Sequence, residues 1–197
     1  MRFTLFPAAL LTVGLVASAA LAQSPTPPPA SSSTKPATPP ASAAPARKAQ
    51  TRPHDTRVVV DATKLSMDDG DTVDIHWSAS DSETVRILGI DTPETRHVKH
   101  NLPYAQPFGA EARGFAMGAF ATASKIELRR WETLDPFGRT LGYFYLDGRN
   151  YSVLVVRARL AEESVTRYGD NGMPNEAAEV LAAAKPAGPL PFESPGD

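Results

Sequence analysis

Past residue 54 the chain alternates short β-branched and aromatic runs with turn signals. Arg57–Val60, Thr72–Trp77, Thr84–Ile90, Lys125–Arg130 and Thr140–Leu146 have the composition of strands. Asp69-Gly70, Asp91-Thr92-Pro93, Asp135-Pro136-Phe137-Gly138 and Asp147-Gly148 separate or close them. Between the third and fourth runs, Phe108, Ala112, Phe115, Ala119 and Phe120 recur at spacings of three and four, which predicts a helix over 108–121 with one face on a core. The Ser152–Arg159 segment is Val-rich, yet it sits where a helix would complete the core, and it is read as helix. Asn175 is placed to cap a last helix, with Glu176 and Glu179 in its early turns and Lys185-Pro186 at its end. Five short strands with a helix after the third is the order of a five-stranded Greek-key barrel of the OB type, a mainly β member of the α+β class.

The N-terminal part has a different character. Arg2 precedes an apolar run from Leu5 to about Leu21, and Ala20-Leu21-Ala22 offers a small-x-small cleavage site, so residues 1–22 read as an export signal. The run is Ala-rich and carries Thr12 and Ser18, which argues against a retained membrane anchor. Residues 23–54 are Pro, Ala, Ser and Thr with almost nothing bulky, and nine of the nineteen prolines fall there. Such a stretch cannot bury enough apolar surface to offset its ordering entropy and reads as a disordered linker. The folded domain is expected over 55–185, with 186–197 as a flexible tail. An export signal places the mature protein in the periplasm or outside the cell, with no membrane contact after cleavage.

Composition then narrows the chemistry. The chain has no cysteine, which excludes disulfides, thiol catalysis and thiolate metal sites. Every acidic residue lies at or after Asp55, while Arg2, Lys35, Arg47, Lys48 and Arg52 lie before it. The expected domain is therefore acidic on balance and a poor long-range attractor for nucleic acid. Any phosphate chemistry must rest on a local cluster of cations with a bound metal.

Three charged clusters lie at strand edges. In Asp68-Asp69-Gly70-Asp71-Thr72 a tight turn sets Asp71 at the mouth of the next strand. In Val85-Arg86-Ile87-Leu88-Gly89-Ile90-Asp91-Thr92-Pro93-Glu94-Thr95 an arginine inside an apolar strand requires an anionic partner, because an unpaired buried guanidinium is costly. Strict alternation sets Arg86 and Asp91 on opposite faces, and a bulge at Gly89 would bring them to one pocket. In Asp135-Pro136-Phe137-Gly138-Arg139-Thr140 a type I turn would aim Arg139 from the start of the following strand. Carboxylate and carbonyl oxygens suit Ca²⁺ or Mg²⁺ better than zinc. Two arginines can hold a phosphate, and a nearby glutamate can deprotonate water.

With these residues the stretch from about Val58 to Lys185 resembles the staphylococcal nuclease (thermonuclease) family. Asp69-Gly70-Asp71-Thr72 is similar to its first metal-binding turn, Arg86…Asp91-Thr92-Pro93-Glu94-Thr95 to its central signature, and Gly138-Arg139 to its second arginine. The resemblance implies an OB-type barrel with three helices and a Ca²⁺ cofactor held by Asp71 and Asp91 through carboxylates and Thr92 through its carbonyl. It further implies Glu94 as general base, with Arg86 and Arg139 on the phosphate. The implied activity is metal-dependent hydrolysis of DNA and/or RNA by a monomer. The sequence departs from the family where the nucleotide is gripped. Pro136 and Phe137 stand where a lysine and a tyrosine are usual, and Ser164-Val165-Thr166-Arg167-Tyr168 keeps one tyrosine, shifted. The usual Asn-Glu opening of the second helix is Ser152-Val153, and the usual glycine near its end is Arg159. Phe137, Arg167 and Tyr168 are the candidate substrate contacts.

Other features carry less. His97 and His100 have no third ligand in view and read as solvated loop residues. Trp77 and Trp131 lie at strand ends and read as core or barrel-edge residues. Ser66 and Ser164 have no histidine and carboxylate in a recognisable arrangement, which argues against a serine hydrolase. The competing class is a non-catalytic OB-fold module that binds single-stranded nucleic acid; the acidic domain and missing tyrosines favour it, and the complete Asp71, Arg86, Asp91, Glu94, Arg139 set opposes it.

Overall fold

The computed structural model describes residues 47–96 and 104–195. The expected export signal, most of the expected linker, and His97 and His100 lie outside the described residues. Strands β1 (Arg57–Val60), β2 (Leu65–Met67), β3 (Thr72–Ser78), β4 (Asp81–Ile87) and β5 (Ile90–Asp91) come first. Helix α1 (Gly109–Thr122) follows, then β6 (Ile126–Leu134), β7 (Thr140–Leu146), β8 (Arg149–Asn150) and α2 (Tyr151–Arg157). The chain ends with β9 (Glu162–Glu163), the one-turn α3 (Val165–Tyr168) and α4 (Pro174–Ala187).

The main sheet runs β1-β6-β7-β4-β3-β2. Its two ends, β1 and β2, are consecutive pieces of one stretch, parted only by a single 3₁₀ turn at Ala62–Lys64. One bent strand thus supplies both edges, and the sheet returns on itself as the OB-type barrel of an α+β fold. The β4–β7 pair is parallel and the other ladders are antiparallel. Every residue of β7 is buried, as expected of the strand at the centre of the sheet.

The core fills the barrel and the gap under the helices. Val73, Ile75, Val85, Ile87, Leu128, Phe144 and Leu146 are buried from the strands. Ala112, Ala116 and Phe120 from α1, Val155 and Val156 from α2, and Val180 and Ala183 from α4 are buried too. Phe120 meets the Phe144 and Tyr151 rings edge-on at 5.1 Å. Burying each such large side chain stabilises the fold by roughly 1.5–3 kcal/mol. No helix among the described residues is long and apolar enough to cross a membrane.

Several elements differ from the expectation. The run Thr84–Ile90 is not one strand: it breaks at Leu88-Gly89, with Gly89 at φ +80°, and resumes as β5. The Ser152–Arg159 segment is helical as expected but only as far as Arg157, and Arg159, at the family's usual glycine position, takes a left-handed φ of +59° beyond its end. The last helix begins at Pro174, pre-set for the first helical position, so Asn175 lies inside the first turn and does not cap it. That helix also runs on through Pro186 to Ala187. Beyond it, the segment expected as a flexible tail lies against the domain: Phe192 meets the Phe108 ring at 5.9 Å and Ser194 Oγ donates to Glu162. The N-terminal boundary moves as well. Leu134 N–H donates to Lys48 O at 2.8 Å, Gln50 N–H to Glu132 O at 2.8 Å, and Ala49 bridges Thr133, so residues 48–50 run along the end of β6.

Candidate active site

The first cluster is built by an Asx turn. Asp69 Oδ1 accepts the N–H groups of Asp71 at 2.8 Å and Thr72 at 2.6 Å, which satisfies the strand's first donors and fixes the turn. The buried Tyr151 hydroxyl donates to Gly70 O at 2.7 Å from below. Gly70 is required by packing: a Cβ there would lie 2.7 Å from Thr92 Cγ2. That contact brings the turn onto the central signature. Thr92 is fully buried, and its N–H and hydroxyl donate to Asp71 Oδ2 at 2.7 and 2.9 Å.

Arg86 sits opposite Thr72 in the β3–β4 register. Its Nη1 pairs with Asp71 Oδ1 at 2.5 Å and its Nη2 with Asp91 Oδ1 at 2.6 Å. Asp91 reaches this face only because the chain turns at Gly89, whose φ of +80° is open to glycine and costly for other residues. The bulge demanded by the sequence takes the form of a strand break. Farther on, Gln106 clamps the backbone of Glu94, its Oε1 accepting the Glu94 N–H at 2.8 Å and its own N–H donating to Glu94 O at 2.9 Å. A second Asx turn aims Arg139. Asp135 Oδ1 accepts the N–H groups of Phe137 and Arg139, and Oδ2 accepts Arg139 Nε at 2.7 Å.

Two adjoining cavities result. One, of about 490 Å³, is lined by Asp68, Asp69, Asp71, Arg86, Glu94, Phe137 and Arg139 among others. The other, of about 380 Å³, is lined by Arg47, Arg86, Asp91, Phe137, Arg139 and Tyr168 among others. Arg86, Phe137 and Arg139 belong to both and form the ridge between them. The five expected catalytic and metal-binding side chains therefore meet around Arg86, with Asp91 facing the second cavity. Phe137 is 85% exposed and Tyr168 60% exposed, both available to a ligand. Arg167 lies outside both cavities, its guanidinium 5.4 Å from the Tyr168 ring centre. Trp77 and Trp131 pack against the core.

The site carries more negative than positive charge. Burial, followed by the charge of Asp71, pushes the Asp69 carboxyl up to about 8. Burial also raises Asp91, against the pull of Arg86. For Arg86 burial works against its charge, but Asp71 and Asp91 outweigh it and its pKa moves up. Among the described residues no three carboxylate or imidazole groups converge as a ready cluster of metal ligands. The donor chemistry nonetheless fits a hard divalent cation: two aspartates and a backbone carbonyl supply oxygen only, and the carboxylate surplus calls for positive charge. Asp69, Asp135, Gln106 and Arg47 are site residues that the sequence reading did not select. An aspartate two and four residues before a site residue was the legible signal for Asp69 and Asp135.

Comparison with known proteins gives the family. Residues 84–188 match the family described as staphylococcal nuclease homologue. The chain belongs to the staphylococcal nuclease family. A thermonuclease of Staphylococcus intermedius is 39% identical over 94 residues, covering 47% of this chain and 53% of that protein. The SPbeta prophage-derived endonuclease YokF of Bacillus subtilis is 33% identical over 119 residues, covering 57% of this chain and 38% of YokF. Endonuclease YncB of the same organism is 32% identical over 109 residues, covering 52% of this chain and 49% of its own. The chain thus spans about half, or less, of the length of these relatives. Within the staphylococcal nuclease match lie Arg86, Asp91, Thr92, Glu94 and Arg139; the Asp69–Thr72 turn is just upstream of it.

Proposed function

We propose that the protein is an exported, monomeric, Ca²⁺-dependent nuclease that hydrolyses phosphodiester bonds of DNA and/or RNA. The observation that carries this reading is Arg86 bridging Asp71 and Asp91 on a ridge shared with Arg139, with Glu94 lining the same cavity. Asp71 and Asp91 would hold Ca²⁺ by their carboxylates and Thr92 by its carbonyl. Bound there, the ion would neutralise phosphate charge and make a coordinated water more acidic. Glu94 accepts the proton of the attacking water. The water oxygen bonds to phosphorus as the ester P–O bond breaks, and the leaving oxygen takes its proton from solvent. Arg86 and Arg139 donate to the phosphate oxygens as charge builds on them. Asp135 keeps Arg139 aimed at that point, and the Gln106 clamp keeps Glu94 beside it.

Cleavage of single-stranded DNA and of RNA should appear on Ca²⁺ titration and vanish on chelation. A parent protein inert toward both at every Ca²⁺ concentration, while still binding single-stranded DNA, would replace this reading with a non-catalytic OB module.

A further inference from the structure

The segment before the barrel takes part in the second cavity. Arg47 lines it with Arg86, Arg139, Phe137 and Tyr168. Residues 48–50 are held along β6 by the backbone bonds from Leu134 and Gln50. The buried Gln50 side chain donates to Thr140 Oγ1 at 3.0 Å, beside the start of β7. Arg52 pairs with Asp81, and Pro53 O accepts Arg130 Nη1 at 3.1 Å. The position of Arg47 is therefore set by a strap fixed at several points.

The electrostatics of the three arginines lining this cavity differ. Arg86 is engaged by Asp71 and Asp91, and Arg139 by Asp135. Arg47 meets no carboxylate among the described residues; its side-chain contact is a long 3.5 Å approach to Asn171 Oδ1. An exposed guanidinium without a carboxylate partner, beside a cavity with two exposed aromatic rings, is equipped for a phosphate and its neighbouring bases. The cavity also lies on the far side of the Arg86–Arg139 ridge from Glu94, where a strand continuing past the scissile bond would run.

We propose that Arg47, delivered by the 47–53 strap, binds the phosphate next to the scissile one, so that the site prefers a polynucleotide strand over a substrate with a single phosphodiester. The proposal rests on the nuclease reading for its catalytic consequence, but not for the binding itself.

The test uses the full chain and Arg47→Ala. In EDTA, binding of a fluorescent oligodeoxynucleotide is followed against salt concentration. The variant should bind about three- to tenfold more weakly, and the slope of log affinity against log salt should fall by about 0.7, the loss of one single-strand phosphate contact. Arg47→Lys, which keeps the charge, should recover most of the slope. With Ca²⁺, KM for the oligonucleotide should rise by a similar factor with kcat little altered. Selectivity for it over a nitrophenyl ester of a single nucleotide should fall in proportion. An unchanged salt slope and affinity overturn the proposal, as does an equal loss on both substrates. If the parent cleaves neither substrate, the nuclease reading fails, and the EDTA binding slopes still decide the role of Arg47.

Discussion

Replacing Arg86 with Ala should separate metal binding from cleavage, because the guanidinium and a cation would share the same carboxylates. In the structure Asp71 has both oxygens occupied: Oδ1 by Arg86 and Thr72, Oδ2 by the N–H and hydroxyl of Thr92. The Arg86 side chain is 20% exposed and that of Asp71 3%. Removing one member of a buried pair costs about 3–5 kcal/mol, since the partner is left charged and desolvated. Asp91, already pushed upward by burial, would lose its partner as well. At about 2–4 °C per kcal/mol for a domain of this size, melting in EDTA should fall by roughly 6–20 °C. Calcium should narrow that gap. With Arg86 gone, a divalent ion on these carboxylates no longer faces a repulsion worth about 3 kcal/mol or more, so its affinity should rise at least about a hundredfold. Each tenfold gain returns about 1.4 kcal/mol to the variant relative to the parent at saturation. Thermal unfolding across a Ca²⁺ titration, with cleavage measured beside it, reads all three effects. A variant that melts within 2 °C of the parent in EDTA, or binds Ca²⁺ more weakly, would refute the shared-carboxylate argument.

Glu94→Gln should lower kcat by about 10²–10⁴-fold with a smaller change in the Ca²⁺ midpoint; parent-like turnover removes Glu94 from the general-base role. Asp69 gives a pH signature. Its folded value near 8 lies above the ordinary 3.8, so the folded state holds a proton that the unfolded chain has lost, and this contribution to stability declines as pH rises from about 4 to about 8. Asp69→Asn, which keeps the Oδ1 acceptor, should therefore show a flatter melting profile between pH 5 and 8 in EDTA; matching slopes would contradict the assignment. Glu83, held low by Arg130 and Thr140 despite its burial, should act in the opposite sense, with stability lost as pH falls through its depressed value. Glu83→Gln should cost about 3 kcal/mol or more, because Arg130 is left buried and unpaired, and should flatten the acid limb of unfolding.

The fold was legible because its strands are short and sharply punctuated. Thr140–Leu146 and the α1 region were readable to within a residue from turn residues and three-four spacing. The pieces that were not legible depend on distant partners. Leu65–Met67 is too short to announce itself and becomes a strand by pairing with β3. The end of the Thr84–Ile90 run was hidden because Ile90 has strand character, and only the demand that Arg86 meet Asp91 pointed to Gly89. Asn175 lost the capping position to Pro174, whose fixed φ suits the first helical turn better than a side-chain cap at the next residue.

The site divides along the same line. Asp71, Arg86, Asp91, Glu94 and Arg139 stand out as candidates because each lies at a turn or near a strand end, where local sequence decides which way a side chain can reach. Gln106 could not be found this way, since its role is to clamp the Glu94 backbone across an intervening loop. Arg47 falls in a stretch too poor in apolar residues to fold alone, so composition assigns it to a disordered linker. That inference holds for an isolated segment and fails for one that borrows an existing strand. Backbone bonds to β6 and a buried Gln50 supply what the segment lacks, with the ordering cost met by a surface already folded. The charge picture changes with it. Counting the domain from Asp55 leaves out Arg47, Lys48 and Arg52, and Arg47 stands beside a cavity whose other two arginines are already engaged by aspartates. On the nuclease reading, an acidic domain has to attract a polyanion, and where an uncompensated cation sits then decides more than the sum of charges does.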